Sequence, residues 1–260
     1  MERITSRTNP LLTHIRRLAA SGSYRRQCGE YLGDSPKLLR EALLWKAELV
    51  CVVHTGAAEL PPLPPDVRVV EVPADIMTSV SPMKTPQGVL FTCRIPARAL
   101  PEKLTGRRYA VLEGVQDPGN VGTVLRTLDA FDADGLFLLP GCADVYSPKT
   151  MRASMGAVFR RPVWTCTGQE LHTLLRRSGI PLYGAALRAD TMDARAVELS
   201  RAAVAIGSEG RGLTEELLAL CDGTVRIPMS PRCESLNAAV AASVLLWEAY
   251  RGEEMDACQH

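Results

Sequence analysis

The chain has 260 residues and a mass of 28.2 kDa, which is enough for one or two domains. With 46% apolar residues, 23% charged residues and a formal net charge of +1, the composition is that of a globular protein and excludes a mainly disordered chain. No run of residues approaches the roughly 18 apolar residues of a membrane span. The N-terminal residues also lack the apolar segment of a secretory signal. We therefore expect a cytoplasmic protein.

The eight cysteines favour reduced thiols over a disulfide framework. No two of them form a Cys-x-x-Cys pair, and none has a histidine at metal-ligand spacing. Disulfide frameworks are typical of short secreted chains, and this chain is long. The four histidines are scattered along the sequence. We therefore predict neither a metal site nor a catalytic histidine.

Positive charge is concentrated at the N-terminus. Residues 1–46 contain nine Lys or Arg and four acidic residues, a net charge of +5, so the other 214 residues carry −4. Lys and Arg neutralise phosphates and release counterions, so the segment indicates contact with a polyanion. A solvated helix face is the alternative. The residues predicted to make the contact are Arg16, Arg17, Arg25 and Arg26.

The N-terminal part of the sequence has the pattern of a small α/β unit. Apolar spacing predicts helices at 9–20 and 35–46, and apolar runs predict strands at 49–53, 67–72 and 88–95. Ser35 is the predicted cap of the second helix, and Pro36 suits its first position. Prolines and a glycine within 96–108 predict a linker. We therefore expect one domain at 1–98 and a second at 107–254.

From residue 109 onward, strands and helices alternate. The predicted strands are continuous apolar runs at 109–115, 135–139, 162–166, 180–187, 202–207 and 224–228. The predicted helices lie at 119–132, 147–159, 168–178, 213–221 and 235–251. This pattern predicts a parallel sheet covered on both faces. Ligands of such sheets bind beyond the carboxyl ends of the strands, which directs attention to the loops after residues 115, 206 and 227.

The first of these loops, DPGNVGTVLRT at 117–127, places glycines before a helix N-terminus, an arrangement suited to an anion. Asn120 and Arg126 are six residues apart, about 120° around a regular helix, so a helix alone would not bring them together. The loop has no G-x-x-x-x-G-K-[ST], which excludes a nucleotide P-loop. An ordinary capped helix with a surface arginine would share these features.

The other two loops carry further polar residues. IGSEGRGL at 206–213 holds Glu209 among three glycines, whose order does not match the dinucleotide fingerprint. IPMSPRCESLNAAVAAS at 227–243 places Ser235 and Asn237 at the start of a long helix, which Glu234 or Ser235 can cap. No G-x-S-x-G surrounds Ser235, so we do not expect a nucleophile there. Taken singly, a flexible turn and a capped helix would explain both loops.

Together and in this order, the three loops resemble the signature motifs of the SpoU/TrmH-type RNA ribose methyltransferases of the SPOUT superfamily. The segment DVYSPKTMRASMGAVFRRPV at 144–163 is also similar to the family's sequence. The resemblance covers 109–251 closely, and extends more loosely to TSRTNPLLTHIRRL and SPKLLREAL near the N-terminus. It implies an α/β fold in which a parallel sheet ends in a C-terminal trefoil knot, with a small N-terminal α/β RNA-binding domain.

The resemblance implies methyl transfer from S-adenosylmethionine to a ribose 2′-hydroxyl of RNA. The additional N-terminal domain is more similar to the ribosomal RNA members, so ribosomal RNA is the expected substrate. The alternatives are a tRNA 2′-O-methyltransferase and a catalytically silent RNA-binding homologue, although the complete motif set argues against loss of catalysis. By motif, the implied catalytic residues are Asn120, Arg126, Glu209, Ser235 and Asn237. The implied cofactor-binding residues are Leu187, Gly207, Ile227, Met229 and Leu236.

The family's chemistry also suggests roles. An arginine is a poor base because its pKa lies above about 12, so we expect Arg126 to hold a phosphate and stabilise developing alkoxide charge. Glu209 is expected to orient Arg126 or an amide. The family is dimeric through its last helix, which implies a homodimer. The stripe of Leu236, Val240, Val244 and Trp247 fits that interface or the core equally well. The chain has Gly33–Asp34 where the family has an acidic residue followed by glycine.

Overall fold

We describe residues 2–233 and 235–257 of a computed structural model of the chain, the last six of them by their backbone alone. The chain divides into two compact units. The first extends to Ala97 and also includes Asp144–Phe159, whereas the second comprises Arg98–Ala143 and everything described from Arg160 onward. The described residues include no helix that is long and apolar enough to cross a membrane.

The first unit contains a mixed sheet and several helices. Its elements before Ala97 are β1 Glu2–Arg3, α1 Pro10–Ala20, α2 Gly22–Cys28, β2 Glu30–Gly33, α3 Pro36–Leu44, β3 Leu49–His54, β4 Arg68–Glu71, α4 Ala74–Val80 and β5 Val89–Arg94. The strand order is β1-β4-β3-β5-β2, and β5 runs antiparallel to both of its neighbours. The sequence pattern does not predict β1, α2, β2 or α4, because each has seven residues or fewer and is too short for a clear period.

The two helices predicted in this unit begin as their capping residues indicate. The Asn9 side chain accepts a hydrogen bond from the Leu11 backbone N–H at 2.9 Å at the start of α1. The Ser35 hydroxyl accepts one from the Leu38 N–H at 3.2 Å at the start of α3, with Pro36 in the first turn. Each bond satisfies a backbone donor that the first helical turn leaves free.

The remaining elements are β6 Tyr109–Leu112, α5 Pro118–Ala130, β7 Gly135–Leu138, α6 Pro148–Ser154, α7 Ala157–Arg160, β8 Val163–Thr165, α8 Gly168–Ser178, β9 Leu182–Ala185, β10 Met192–Asp193, a 3₁₀ turn at Ala194–Ala196, β11 Ala203–Ile206, α9 Glu215–Leu218, β12 Gly223–Arg226 and α10 Ala238–Ala257. The strands form a sheet in the order β10-β12-β9-β11-β6-β7-β8. Every neighbouring pair is parallel, so the predicted parallel sheet is confirmed.

Three predicted helices differ from those observed. The helix predicted at 213–221 is shorter and spans Glu215–Leu218. The helix predicted at 147–159 is interrupted between α6 and α7, because Met155 and Gly156 adopt φ angles of 51° and 91°. The last helix begins at Ala238, because Asn237 Oδ1 accepts hydrogen bonds from the N–H groups of the second and third helical residues at 3.0 and 3.3 Å. Ser235 is therefore not the cap, and Glu234 lies outside the described residues.

Two ion pairs link residues 144–159 to the rest of the first unit. Arg25 is only 4% exposed, and its Nε and Nη2 donate to Asp144 Oδ2 at 2.9 and 2.7 Å. Asp34, 2% exposed, pairs with Arg152 of α6, and burial raises the pKa of this carboxyl. The Arg25 guanidinium is thus buried and paired with Asp144 inside the first unit. This corrects its prediction as a surface contact for RNA.

Candidate functional site

The three loops singled out in the sequence leave the same edge of the parallel sheet. Strand β11 lies between β6 and β9, and β12 lies on the other side of β9. The loops after β6 and β11 therefore start on adjacent strands, and the loop after β12 starts two strands from β11, beyond β9. The Glu113 N–H donates to the Ile206 carbonyl at 3.0 Å, which joins the first two loops directly. We call the surface formed by these loops the three-loop site.

Asn120, Glu209 and Asn237, one from each loop, form a hydrogen-bonded cluster. Asn120 Nδ2 donates to Glu209 Oε1. Asn237 Nδ2 donates to Asn120 Oδ1 at 3.2 Å and to Glu209 Oε1 at 3.4 Å. The carboxylate therefore holds two amides. The sequence analysis expects Glu209 to orient either Arg126 or an amide. The structure places the amides of Asn120 and Asn237 beside it.

Arg126 stands apart from this cluster. It lies on α5, six residues after Asn120, and its side chain is exposed. Among the described residues it makes no side-chain hydrogen bond or ion pair. This placement agrees with the separation of about 120° around the helix that the sequence predicts between Asn120 and Arg126. The guanidinium is therefore available to a ligand that carries negative charge.

The predicted cofactor residues line two adjoining recesses, of about 140 and 380 Å³. Leu187, Ser235 and Leu236 line both recesses. Ile227 and Met229 border the smaller recess, and Gly207 the larger. The structure thus places Ser235 beside these residues, and not in the hydrogen-bonded cluster. We call the two recesses together the Gly207 recess.

The backbone at Gly207 leaves no room for a side chain. A Cβ at this position would lie 2.1 Å from the carbonyl carbon of Gly212 and 2.2 Å from its oxygen. Gly212 itself has φ of 67°, and its N–H donates to the Ser208 carbonyl at 2.9 Å. Two of the three glycines predicted to permit close backbone approach, Gly207 and Gly212, are therefore required for the turn to close on itself, whereas a Cβ at Gly210 would meet no atom within 4 Å. This turn forms one wall of the recess.

Glu113 is a site residue that the sequence reasoning missed. Its carboxylate accepts hydrogen bonds from the Thr214 N–H at 2.8 Å and hydroxyl at 2.9 Å. Thr214 in turn caps α9, because its hydroxyl accepts from the Leu217 N–H at 3.2 Å. Glu113 therefore anchors the far end of the second loop to the first. Only its position at a strand end could have drawn attention to it, since its partner lies 101 residues away.

Several thiols of the second unit are held in buried surroundings. Burial raises the pKa of Cys142, whose Sγ lies 3.1 Å from the Leu112 carbonyl oxygen. Burial also raises the pKa values of Cys166 and Cys221 to about 12. The seven cysteines within the described residues are free, and Cys258 lies outside them. No group of three or more His, Cys, Asp or Glu in the described part of the chain could hold a metal ion.

The apolar stripe of α10 is surface and not core. Val240, Val244 and Trp247 are 48%, 38% and 44% exposed, whereas Leu236 is half-buried beside the Gly207 recess. The opposite side of the helix supplies the core residues Ala242, Leu245, Leu246 and Ala249. Asn120 and Asn237 adjoin the stripe in a shallow recess of about 390 Å³.

The basic residues of α1 and α2 occupy different environments. Arg17 is exposed and its guanidinium lies 3.8 Å from the centre of the Tyr24 ring. Arg26 is exposed as well. Arg16 is half-buried, and its Nη1 donates to the Arg7 carbonyl at 3.0 Å. Arg17 and Arg26 are therefore the more accessible of the predicted RNA contacts.

Comparison with known proteins gives consistent matches. A model of the SpoU rRNA Methylase family matches residues 107–247. The 23S rRNA (guanosine(2553)-2'-O)-methyltransferase RlmP of Bacillus subtilis is 34% identical over 66% of this chain and 68% of its own length. An uncharacterized tRNA/rRNA methyltransferase of Synechocystis sp. is 31% identical over 95% of this chain and 93% of its own. The AdoMet-bound rRNA methyltransferase of Sinorhizobium meliloti superposes with a TM-score of 0.86 at 29% identity, covering 97% of this chain and 98% of that one.

Proposed function

Because the chain belongs to the SpoU rRNA methylase family, we propose that its three-loop site transfers the methyl group of S-adenosylmethionine to a ribose 2′-hydroxyl of ribosomal RNA. The protein is an S-adenosylmethionine-dependent RNA methyltransferase. The observation that carries the proposal is the cluster of Asn120, Glu209 and Asn237, which joins three loops beside the Gly207 recess.

The Gly207 recess fits S-adenosylmethionine. Leu187, Ile227, Met229 and Leu236 offer apolar surface to a flat ring, and the turn at Gly207 exposes backbone groups where no Cβ fits. When bound, the cofactor supplies an electrophilic methyl group on a sulfonium. Residues of the loops after β11 and β12 line this recess, and we propose that these loops belong to the C-terminal trefoil knot that the family implies.

The residues of the three-loop site orient the acceptor ribose. Glu209 Oε1 holds both amides, while Oε2 has no hydrogen bond among the described residues and can accept one from the 2′-hydroxyl. Asn120 Nδ2 makes one donation within the cluster and retains a second amide hydrogen for the ribose, whereas Asn237 Nδ2 donates to two acceptors of the cluster. Arg126 holds a phosphate and stabilises the charge that develops on the attacking oxygen, because its guanidinium offers donors only and cannot accept a proton.

The first unit contributes RNA binding in this proposal. Arg17 and Arg26 are exposed cations within the basic N-terminal segment, and Tyr24 lies beside Arg17. Cations that neutralise phosphates together with an aromatic ring are suited to RNA. Ribosomal RNA is cytoplasmic, so we place the activity in the cytoplasm.

The exposed stripe of α10 supports a homodimer. Three large apolar side chains, Val240, Val244 and Trp247, lie on one exposed side of the helix. An apolar patch of this kind is typical of an interaction surface. A second copy would bury it next to the shallow recess that Asn120 and Asn237 line.

A methyl-transfer assay tests the proposed function. Labelled S-adenosylmethionine is offered with unmodified ribosomal RNA, with tRNA and with 2′-deoxy controls, to the wild type and to Arg126→Ala. We expect label in ribosomal RNA, none in the deoxy control, and a loss of about 10²–10³ in kcat for the variant with unchanged cofactor affinity. Label in tRNA alone would shift the substrate class. Cofactor binding without transfer to any RNA would contradict the proposal, and absence of cofactor binding would favour a silent RNA-binding protein.

A further inference from the structure

A large groove on the second unit adjoins the three-loop site at Glu209 and is distinct from the proposed cofactor site. It has a volume of about 840 Å³, within the range of about 300–1,000 Å³ that is usual for ligand sites. Its lining comes from the segments 113–117 and 139–141, which follow β6 and β7, from the glycine-rich turn at 208–212, and from residues at the ends of α8 and α9. We call it the outer groove.

The outer groove and the Gly207 recess share a wall. Ser208, Glu209, Arg211 and Gly212 line both cavities, so only the glycine-rich turn separates them. Glu209 is also the residue that holds the two amides at the proposed ribose position. If the ribose of a nucleotide lies at Glu209, its base can therefore reach the outer groove.

The lining of the groove suits a flat heterocycle. Leu139, Pro140, Leu217 and Leu220 provide apolar surface on which a ring can pack. Four polar side chains of the lining make no side-chain hydrogen bond among the described residues; they are Gln116, Gln169, Arg211 and Glu216. Amides and a carboxylate are the groups that proteins use to recognise the edges of unpaired bases.

The charge of the lining disfavours phosphate. Glu113, Asp117, Glu209 and Glu216 border the groove, against the single cation Arg211. Both oxygens of Glu113 accept hydrogen bonds from Thr214, Asp117 accepts one from the Gly119 N–H, and the open Oε2 of Glu209 is assigned to the ribose. Glu216 remains as a carboxylate that a base can reach. A neutral ligand that presents N–H donors satisfies this carboxylate without repulsion.

We infer that the outer groove holds the base of the acceptor nucleotide, and that it prefers a base with an amino group on its edge. This inference rests on the proposed function and specifies its substrate. Guanine and cytosine present amino donors to Glu216, whereas uracil presents one N–H between two carbonyl oxygens that the carboxylate repels. Gln169 and Gln116 supply the remaining donors and acceptors.

Nucleoside binding to the full chain tests the inference. The protein is saturated with S-adenosylhomocysteine, which fills the cofactor site, and guanosine, cytidine and uridine are then titrated by saturation-transfer NMR. We expect guanosine and cytidine to bind at least about fivefold more tightly than uridine, the effect of one hydrogen bond. Glu216→Gln should reduce this preference, and Gln169→Ala should weaken guanosine binding by a similar factor. Gln87→Ala, an exposed glutamine of the first unit, is the matched control and should change neither.

Several results would overturn the inference. These are no saturable binding of guanosine, equal binding of the three nucleosides, or binding that is unaffected by both groove variants. If S-adenosylhomocysteine itself fails to bind, the proposed function fails and the inference fails with it. In methyl transfer, Gln169→Ala should lower kcat/KM for RNA at unchanged cofactor affinity. An unchanged kcat/KM would also contradict the assignment.

Discussion

Asn237 has two tasks that a pair of substitutions can separate. Its Oδ1 caps α10 through the Ala239 and Val240 N–H groups, and its Nδ2 donates to Asn120 and Glu209. Serine is as good a cap as asparagine, but its hydroxyl is too short to reach the cluster as well. Asn237→Ser should therefore keep the cap and lose the amide donor. Asn237→Ala should lose both.

The expected magnitudes follow from these contacts. Loss of an N-cap costs about 1 kcal/mol of stability. The unfolding temperature of Asn237→Ala should therefore lie about 2–4 °C below that of Asn237→Ser. Both variants lose the donor to Glu209, so both should lose kcat/KM for RNA by about tenfold, which corresponds to about 1.4 kcal/mol. Thermal unfolding measures the first quantity, and labelled methyl transfer measures the second.

Two outcomes would refute this reasoning. If Asn237→Ser retains wild-type kcat/KM, the amide donor does not contribute to catalysis. If the serine and alanine variants unfold at the same temperature, the cap assigned to Asn237 does not stabilise α10. A cofactor titration serves as the control, because Asn237 does not line the Gly207 recess and its loss should leave that affinity unchanged.

Three further predictions concern other parts of the chain. Gly207→Ala should abolish cofactor binding measured by calorimetry, since its Cβ would lie 2.1 Å from the backbone of Gly212; normal affinity would show that the turn can open. Burial raises the pKa of Asp34 above 3.8, so at this carboxyl the native state binds more protons than the unfolded state, and its contribution to the free energy of unfolding should fall as pH rises from 3.8 through the raised pKa. Asp34→Asn should remove this decline in urea titrations, and parallel curves for the two proteins would refute it. Val240→Glu, on the exposed stripe, should convert a dimer to a folded monomer by light scattering; an unchanged mass would exclude that interface.

The sequence predicted the parallel sheet because its strands are continuous apolar runs. β6, β7 and β11 are buried along their whole length, and such runs are distinctive. The caps of α1 and α3 were also predictable, because Asn or Ser followed by Pro is a local signal. The break at Met155 was not, since a non-glycine residue with positive φ has no reliable local signature.

The sequence placed the candidate residues at strand ends but did not determine their pairings. Glycines and polar residues drew attention to the loops that hold Asn120, Glu209 and Asn237, and the family resemblance implied their roles, yet the partner of Glu209 stayed open between Arg126 and an amide. The burial of Arg25 could not be foreseen, because Asp144 lies 119 residues further along the chain. A count of charges does not distinguish buried from exposed arginines, because their exposure depends on contacts between residues far apart in the sequence.

The position of residues 144–159 limits how this protein can be divided. The chain passes between its two units three times, after Ala97, Ala143 and Phe159. In the first unit, Tyr31 of β2 stacks on Tyr146 at 4.7 Å and lies 6.5 Å from Phe159. A gene that encoded only residues 98–260 would produce this segment without the surface that covers its aromatic rings. The N-terminal unit is therefore not a module that evolution or engineering can exchange by fusion at one end, because any replacement must also accommodate a segment from the middle of the enzyme.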